Sequence, residues 1–193
     1  MARKSARRDE EVPEIAVVGD LSESESGVVD KLLEVPEGGR CTLYFDCPGG
    51  GAYTAISLLT LMTVRRLDAT GIVTGECSSA ALWPLAACRR RIVTPFSVLL
   101  FHPLRWQSEE NIGLAEAREW ARHFEHLEQD MDRLLAMYFN MPYEHLLGWM
   151  QPGRYVSGRE FAAAGLAEML DLAGKDNPLL RDRTPPTPKG SRS

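Results

Sequence analysis

Three places in the 193-residue sequence combine residue types that chemistry could use. The first is Gly75-Glu76-Cys77-Ser78-Ser79-Ala80-Ala81, a serine pair between a β-branched run and an apolar one. A serine here has two uses. As a helix N-cap, its hydroxyl accepts a hydrogen bond from an orphan backbone N–H. As a nucleophile, it gains from the positive end of the helix and from N–H groups aimed at a developing oxyanion. The second place is His102, directly after Val98-Leu99-Leu100-Phe101. A lone histidine at a strand end is commonly structural, yet a serine nucleophile needs a base within reach, and imidazole suits neutral pH. The third is Gly49-Gly50-Gly51, where the missing Cβ atoms let backbone N–H groups approach a ligand. A plain tight turn explains it equally well, and the spacing is not that of a nucleotide-binding loop. His123 and His126 lie three residues apart without a third ligand at suitable spacing, so no metal site is expected. His145 lies in a short amphipathic stretch and shows nothing further.

These residues have to be positioned by the elements around them. Residues 15–18 read as a strand ended by Gly19-Asp20, and residues 22–35 as a helix with Val28, Val29, Leu32 and Leu33 on one face. Residues 41–45 read as a second strand, which runs into Cys47-Pro48 and the glycine triplet. Residues 52–65 form a helix candidate that is apolar almost all round, the pattern of a buried helix. Residues 71–74 are a third strand, leading into the serine pair and another apolar helix, and residues 91–94 and 98–101 are strands again. Alternation of this kind argues for an α/β fold with largely parallel pairing. Residues 114–140 break the rhythm: Trp120, Phe124, Leu127, Met131 and Tyr138 recur at helical steps over roughly 40 Å of helix. A helix of that length packs either on its own core or on another subunit. Residues 142–150 (helix), 154–156 (strand), 157–164 (helix) and 166–172 (strand-like) complete the domain, and there is no internal repeat.

The bulk properties fit this scheme. The division expected is a tail over 1–14, one domain over 15–173, and a Pro-, Lys- and Arg-rich disordered tail over 174–193. Hydrophobic residues make up 44% and charged residues 25%, enough to build a core. A net charge of −5 excludes a general affinity for nucleic acid, and no apolar run reaches the roughly 18–20 residues of a membrane helix. No apolar stretch follows the basic N-terminus, which argues against a secretory signal and for a cytoplasmic protein. Cys41, Cys47, Cys77 and Cys88 form no CxxC pair and are expected as buried, reduced thiols.

Together these segments resemble the ClpP family of caseinolytic serine peptidases, from Ile15 to about Leu172. Tyr44-Phe-Asp-Cys-Pro-Gly-Gly50 is similar to the family's Tyr-Ile-Asn-Ser-Pro-Gly-Gly, and Gly75-Glu-Cys-Ser-Ser-Ala-Ala81 to its Gly-Gln-Ala-Ala-Ser-Met-Gly. Leu99-Leu-Phe-His-Pro103 is similar to its Met-Ile-His-Gln-Pro, and residues 114–140 fall at its long handle helix. The resemblance implies a ClpP/crotonase-like repeated β-β-α spiral with Ser79, not Ser78, as nucleophile and His102 as general base. It implies an oxyanion hole from the backbone N–H groups of Gly50 and Ala80, and no cofactor or metal. It further implies homo-oligomeric, stacked heptameric rings that enclose the sites, an AAA+ ATPase partner, and unfolded polypeptide substrates.

The sequence departs from that pattern in three ways. Where the family's aspartate precedes Arg-Phe-Leu-Ser, this chain has Gly153 before Arg154-Tyr-Val-Ser157. Glu109, Glu110 or Glu160 could replace the carboxylate, a backbone carbonyl or water could orient His102, or the subunit is an inactive ring component. Little chain precedes Ile15, so the family's N-terminal hairpin is expected to be short or missing, which bears on the ATPase. Pro84 falls early in the helix that Ser79 is expected to open, where beyond the first turn it would remove a hydrogen bond and bend the helix. An acyl-CoA enzyme of the crotonase type is a further alternative, because the related fold uses a similar glycine-turn oxyanion hole.

Overall fold

The computed structural model describes residues 12–107, 111–174 and 177. Its strands pair largely in parallel, as the strand–helix alternation requires. β1 (Glu14–Val18) lies beside β2 (Arg40–Cys47), and β2 beside β3 (Asp68–Cys77). β4 (Arg90–Val93) takes the other side of β3, and the two-residue β7 (Glu168–Met169) closes the edge against β4. The intervening chain supplies α1 (Leu21–Glu34), α2 (Ala52–Val64) and α3 (Leu82–Ala87).

Burial alternates along the strands. In β2, Cys41, Leu43, Phe45 and Cys47 are buried while their neighbours are exposed or half-buried. Fully burying a side chain such as Leu43 or Phe45 stabilises by roughly 1.5–3 kcal/mol, so a one-residue slip of register would invert a whole face. The expected single apolar face of α1 holds Leu21, Val28 and Leu32, all buried, whereas Leu33 is exposed.

The feature that builds a site is the length of β3. Beyond the four residues that pair with β4, it continues to Glu76, which is in register with Val98 of β5 (Val98–Phe101). β5 in turn pairs antiparallel with β6 (Arg154–Ser157). β3 therefore ends next to β5, and the segments that leave these two strands, Ser78-Ser79 and His102, leave side by side. Phe101 anchors the end of β5 in an aromatic cluster, with ring centroids 6.3 Å from Phe139 and 5.0 Å from Trp149.

α4 (Leu114–Phe139) is the long helix, one residue shorter than expected because Asn140 takes the left-handed conformation (φ 52°) and caps it. Its C-terminal half buries Met131, Leu135, Ala136 and Phe139 on the body of the molecule. Its N-terminal half is exposed or half-buried, its aromatic stripe covered only by the chain after β5: Trp106 stacks on Trp120 at 5.6 Å and lies 5.7 Å from Phe124. α5 (Tyr143–Met150) and α6 (Gly158–Ala163) follow.

Several local expectations need correction. The last strand shrinks from 166–172 to two residues, because only Glu168 and Met169 find partners on the short β4. The serine helix does not begin as one α-helix with Ser79 at its cap. Ser79–Ala81 form a turn of 3₁₀ helix whose cap residue is Ser78, and the α-helix starts at Leu82. Pro84 consequently falls in the first α-helical turn, where no intrahelical hydrogen bond is lost. The expected tails lie almost wholly outside the described residues, as do Glu109 and Glu110.

Candidate active site

The end of β2 is tied to the end of β3 and the residue that follows it. Ser78 N–H donates to the Cys47 carbonyl at 3.0 Å, and Asp46 Oδ1 accepts from Glu76 N–H at 3.1 Å. The glycine turn is held from its other side by the start of α1: Leu21 N–H donates to the Gly49 carbonyl (2.7 Å), and Gly51 N–H donates to Ser22 Oγ (2.7 Å). Asp20 in turn caps α1 by accepting from Ser22 N–H at 2.8 Å. Gly49 has φ +111°, and a Cβ placed there would come within 2.6 Å of Ser79 Cβ. Only glycine allows the turn to lie this close to the serine segment.

The two serines separate cleanly. Ser78 is fully buried, and its Oγ accepts from Leu100 N–H at 3.0 Å, tying the serine turn to β5. Ser79 is half-buried with φ +53°, a strained conformation for a residue with a side chain, of the kind that sharp nucleophile turns adopt. Its side chain lines a cavity of about 290 Å³ that Gly50, Ala80 and His102 also line. Gly50 N–H donates to no acceptor among the described residues, and Ala80 N–H stands in a first helical turn, where such groups have no intrahelical acceptor. The four residues singled out in the sequence therefore border one space.

His102 stands just past β5. Its Nδ1 lies 2.6 Å from the carbonyl oxygen of Pro103. A carbonyl can only accept, so in this hydrogen bond Nδ1 carries the proton, and in the neutral ring the lone pair is then on Nε2, the tautomer a general base requires. Ser79 and His102 are not hydrogen bonded to each other; such contacts are often long before substrate binds.

Among the described residues no carboxylate bonds His102 Nδ1. Gly153 (φ +124°) is packed against His102, and a Cβ there would lie 3.1 Å from His102 Cβ. Glu160, one of the three replacement carboxylates considered from sequence, is engaged elsewhere. It completes a capping box with Ser157 and pairs with Arg154, and the Ser157 N–H holds its carboxyl below the usual range.

The same cavity holds two carboxylates that the sequence reading missed. Glu128 Oε2 accepts from Leu104 N–H at 2.9 Å, which fixes the chain after His102 onto α4. Asp132, one turn further along, is only 3% exposed, and no hydrogen bond or ion pair reaches it from the described residues. Burial first, and then the charge of Glu128, push its carboxyl up to about 7. The signal was present in the sequence: Glu128 and Asp132 interrupt the apolar stripe of α4 at helical spacing. Among the described residues no group of three potential ligands could hold a metal; His123 instead bonds the Tyr53 hydroxyl at 2.7 Å. All four cysteines are buried and free, and burial drives the Cys41 thiol up to about 11.

Compared with known families, the model for Clp protease matches residues 21–170. The chain belongs to the Clp protease family. Its mixed α/β architecture, with seven strands and six helices among the described residues, is that of Clp protease, and a peptidase at family level follows. No curated protein matches the chain. Among the described residues of this Clp protease family member, no helix is long and apolar enough to cross a membrane.

Proposed function

We propose that the chain is a serine endopeptidase subunit that works with a Ser79–His102 dyad. The observation that carries the reading is the hydrogen bond from His102 Nδ1 to the Pro103 carbonyl. It performs the orienting part of a triad acid: it holds one tautomer and one ring orientation. It lacks the negative charge that stabilises an imidazolium, so the reaction is expected to be slow.

The steps follow from the residues around the cavity. Ser79 Oγ attacks the carbonyl carbon of the scissile peptide while its proton passes to His102 Nε2. The tetrahedral oxyanion accepts hydrogen bonds from the N–H groups of Gly50 and Ala80, for which no acceptor among the described residues competes. Collapse breaks the C–N bond, His102 returns the proton to the leaving amine, and an acyl-serine remains. Water, deprotonated by His102, then repeats the sequence and releases the carboxylate. No cofactor takes part.

Membership of the family further supports work inside a cytoplasmic chamber of stacked, seven-membered homo-oligomeric rings acting on unfolded proteins or peptides, with an AAA+ unfoldase as candidate partner. A second reading, a noncatalytic ring subunit, is favoured by the absence of a carboxylate at Gly153. A fluorophosphonate probe separates the two. Labelling of the wild-type protein that vanishes in Ser79→Ala supports the dyad; an unlabelled protein with intact fold and rings refutes it.

A further inference from the structure

The cavity beside Ser79 contains a carboxyl group that the hydrolytic steps do not use. Asp132 is 97% buried by its exposure of 3%, it lines the cavity, and no described residue donates to it or pairs with it. A carboxyl in this state carries an unmet demand for a cation or a proton. The remaining titratable or charged groups on the cavity wall are Tyr53, His102, Arg105 and Glu128. His102 is committed at Nδ1 to Pro103, and Glu128 accepts from Leu104 N–H. Arg105 is exposed and forms no ion pair with either carboxylate. Trp83, Met131 and Met150 add apolar surface to the same wall. It is also rigid there, because Trp83 Nε1 donates to the Met131 carbonyl at 3.2 Å and joins α3 to α4.

Apolar walls ending in a buried carboxylate match a side chain with an aliphatic stem and a cationic head. Resting on the peptidase reading above, we propose that Asp132, seconded by Glu128, makes this cavity a subsite for an arginine or lysine side chain on the acyl side of the scissile bond. The volume of about 290 Å³ sits at the lower end of ligand pockets, room for one long side chain rather than an extended ligand. Entry of the cation restores to Asp132 the charge that burial and Glu128 suppress in the empty site.

The test has two arms, one independent of hydrolysis. In the first, benzamidine is titrated into full-length Ser79→Ala protein by calorimetry. Binding is expected to be about tenfold tighter at pH 8 than at pH 6, because the carboxyl must ionise through about 7 to receive the cation, and to weaken at least tenfold in Ser79→Ala/Asp132→Asn. Absence of binding, or binding indifferent to both pH and Asp132, overturns the subsite; the pH comparison stands even if the double variant does not fold. In the second arm, fluorogenic peptides ending in arginine or leucine are compared on the wild-type and Asp132→Asn proteins. The arginine-over-leucine ratio of kcat/KM is expected to fall about 100-fold, the order for truncating one partner of a buried charge pair. A leucine preference unchanged by the substitution overturns the proposal. Benzamidine binding without fluorophosphonate labelling would instead refute the peptidase reading and leave the cation site standing.

Discussion

Asp132 makes a prediction about stability that needs no substrate. An aspartate carboxyl titrates near 3.9 in an unfolded chain, whereas burial and Glu128 raise it to about 7 in the folded protein. The folded state therefore holds a proton that the unfolded state has released, and the sign follows: stability declines as pH rises from about 4 to about 7 and levels off above that. Between pH 5 and pH 8 this one group removes on the order of 2–3 kcal/mol from the stability of the wild-type protein. Asp132→Asn keeps the shape and cannot ionise. Urea unfolding of both proteins at pH 5, 6, 7 and 8 would read the effect. The gap between variant and wild type should move in favour of the variant by on the order of 2–3 kcal/mol across that range. A gap that stays constant with pH would show that Asp132 is ionised throughout, and the account of it as a buried carboxyl without a cationic partner would fall with it.

Two further outcomes follow from backbone conformation. Ser79 is held at φ +53°, so Ser79→Gly should be more stable than Ser79→Ala by about 1 kcal/mol in urea unfolding, while neither variant reacts with a fluorophosphonate. Gly153→Ala should destabilise by about 1–3 kcal/mol and weaken fluorophosphonate labelling, because φ +124° resists a side chain and the new methyl would press on His102 Cβ from 3.1 Å; labelling at wild-type rate with unchanged stability would refute this.

Much of the frame was legible in the chain because strand and helix periods differ and each strand here has one buried face. Residues 98–101 match β5 to the residue, and α2 ends one residue from its expected limit. The exact form of the serine turn was not legible, since the choice between an α-helical cap and a 3₁₀ turn depends on the Ser78 hydroxyl reaching Leu100 on another strand. Which serine faces the cavity came from family resemblance; the residue types alone left Ser78 and Ser79 open. The partner of His102 Nδ1 was one of several alternatives, because a bond to the next residue's carbonyl leaves no mark in side-chain identity. Asp132 was missed for a different reason. An amphipathic reading of residues 114–140 counts apolar positions and passes over a carboxylate among them, although a charge on the buried face of a helix is the observation that calls for a partner.

The hydrogen bond between His102 and Pro103 joins neighbours in the chain. A histidine aligned by a carboxylate on another segment can be switched off by moving that segment. Here the donor and acceptor travel together, so a shift of α4, α5 or β6 that left residues 101–103 intact would not disturb the imidazole. On the proposed reading, such an enzyme has no ready means of disarming its base and would be governed by admission: by what reaches the cavity, and by whether its charge suits the walls.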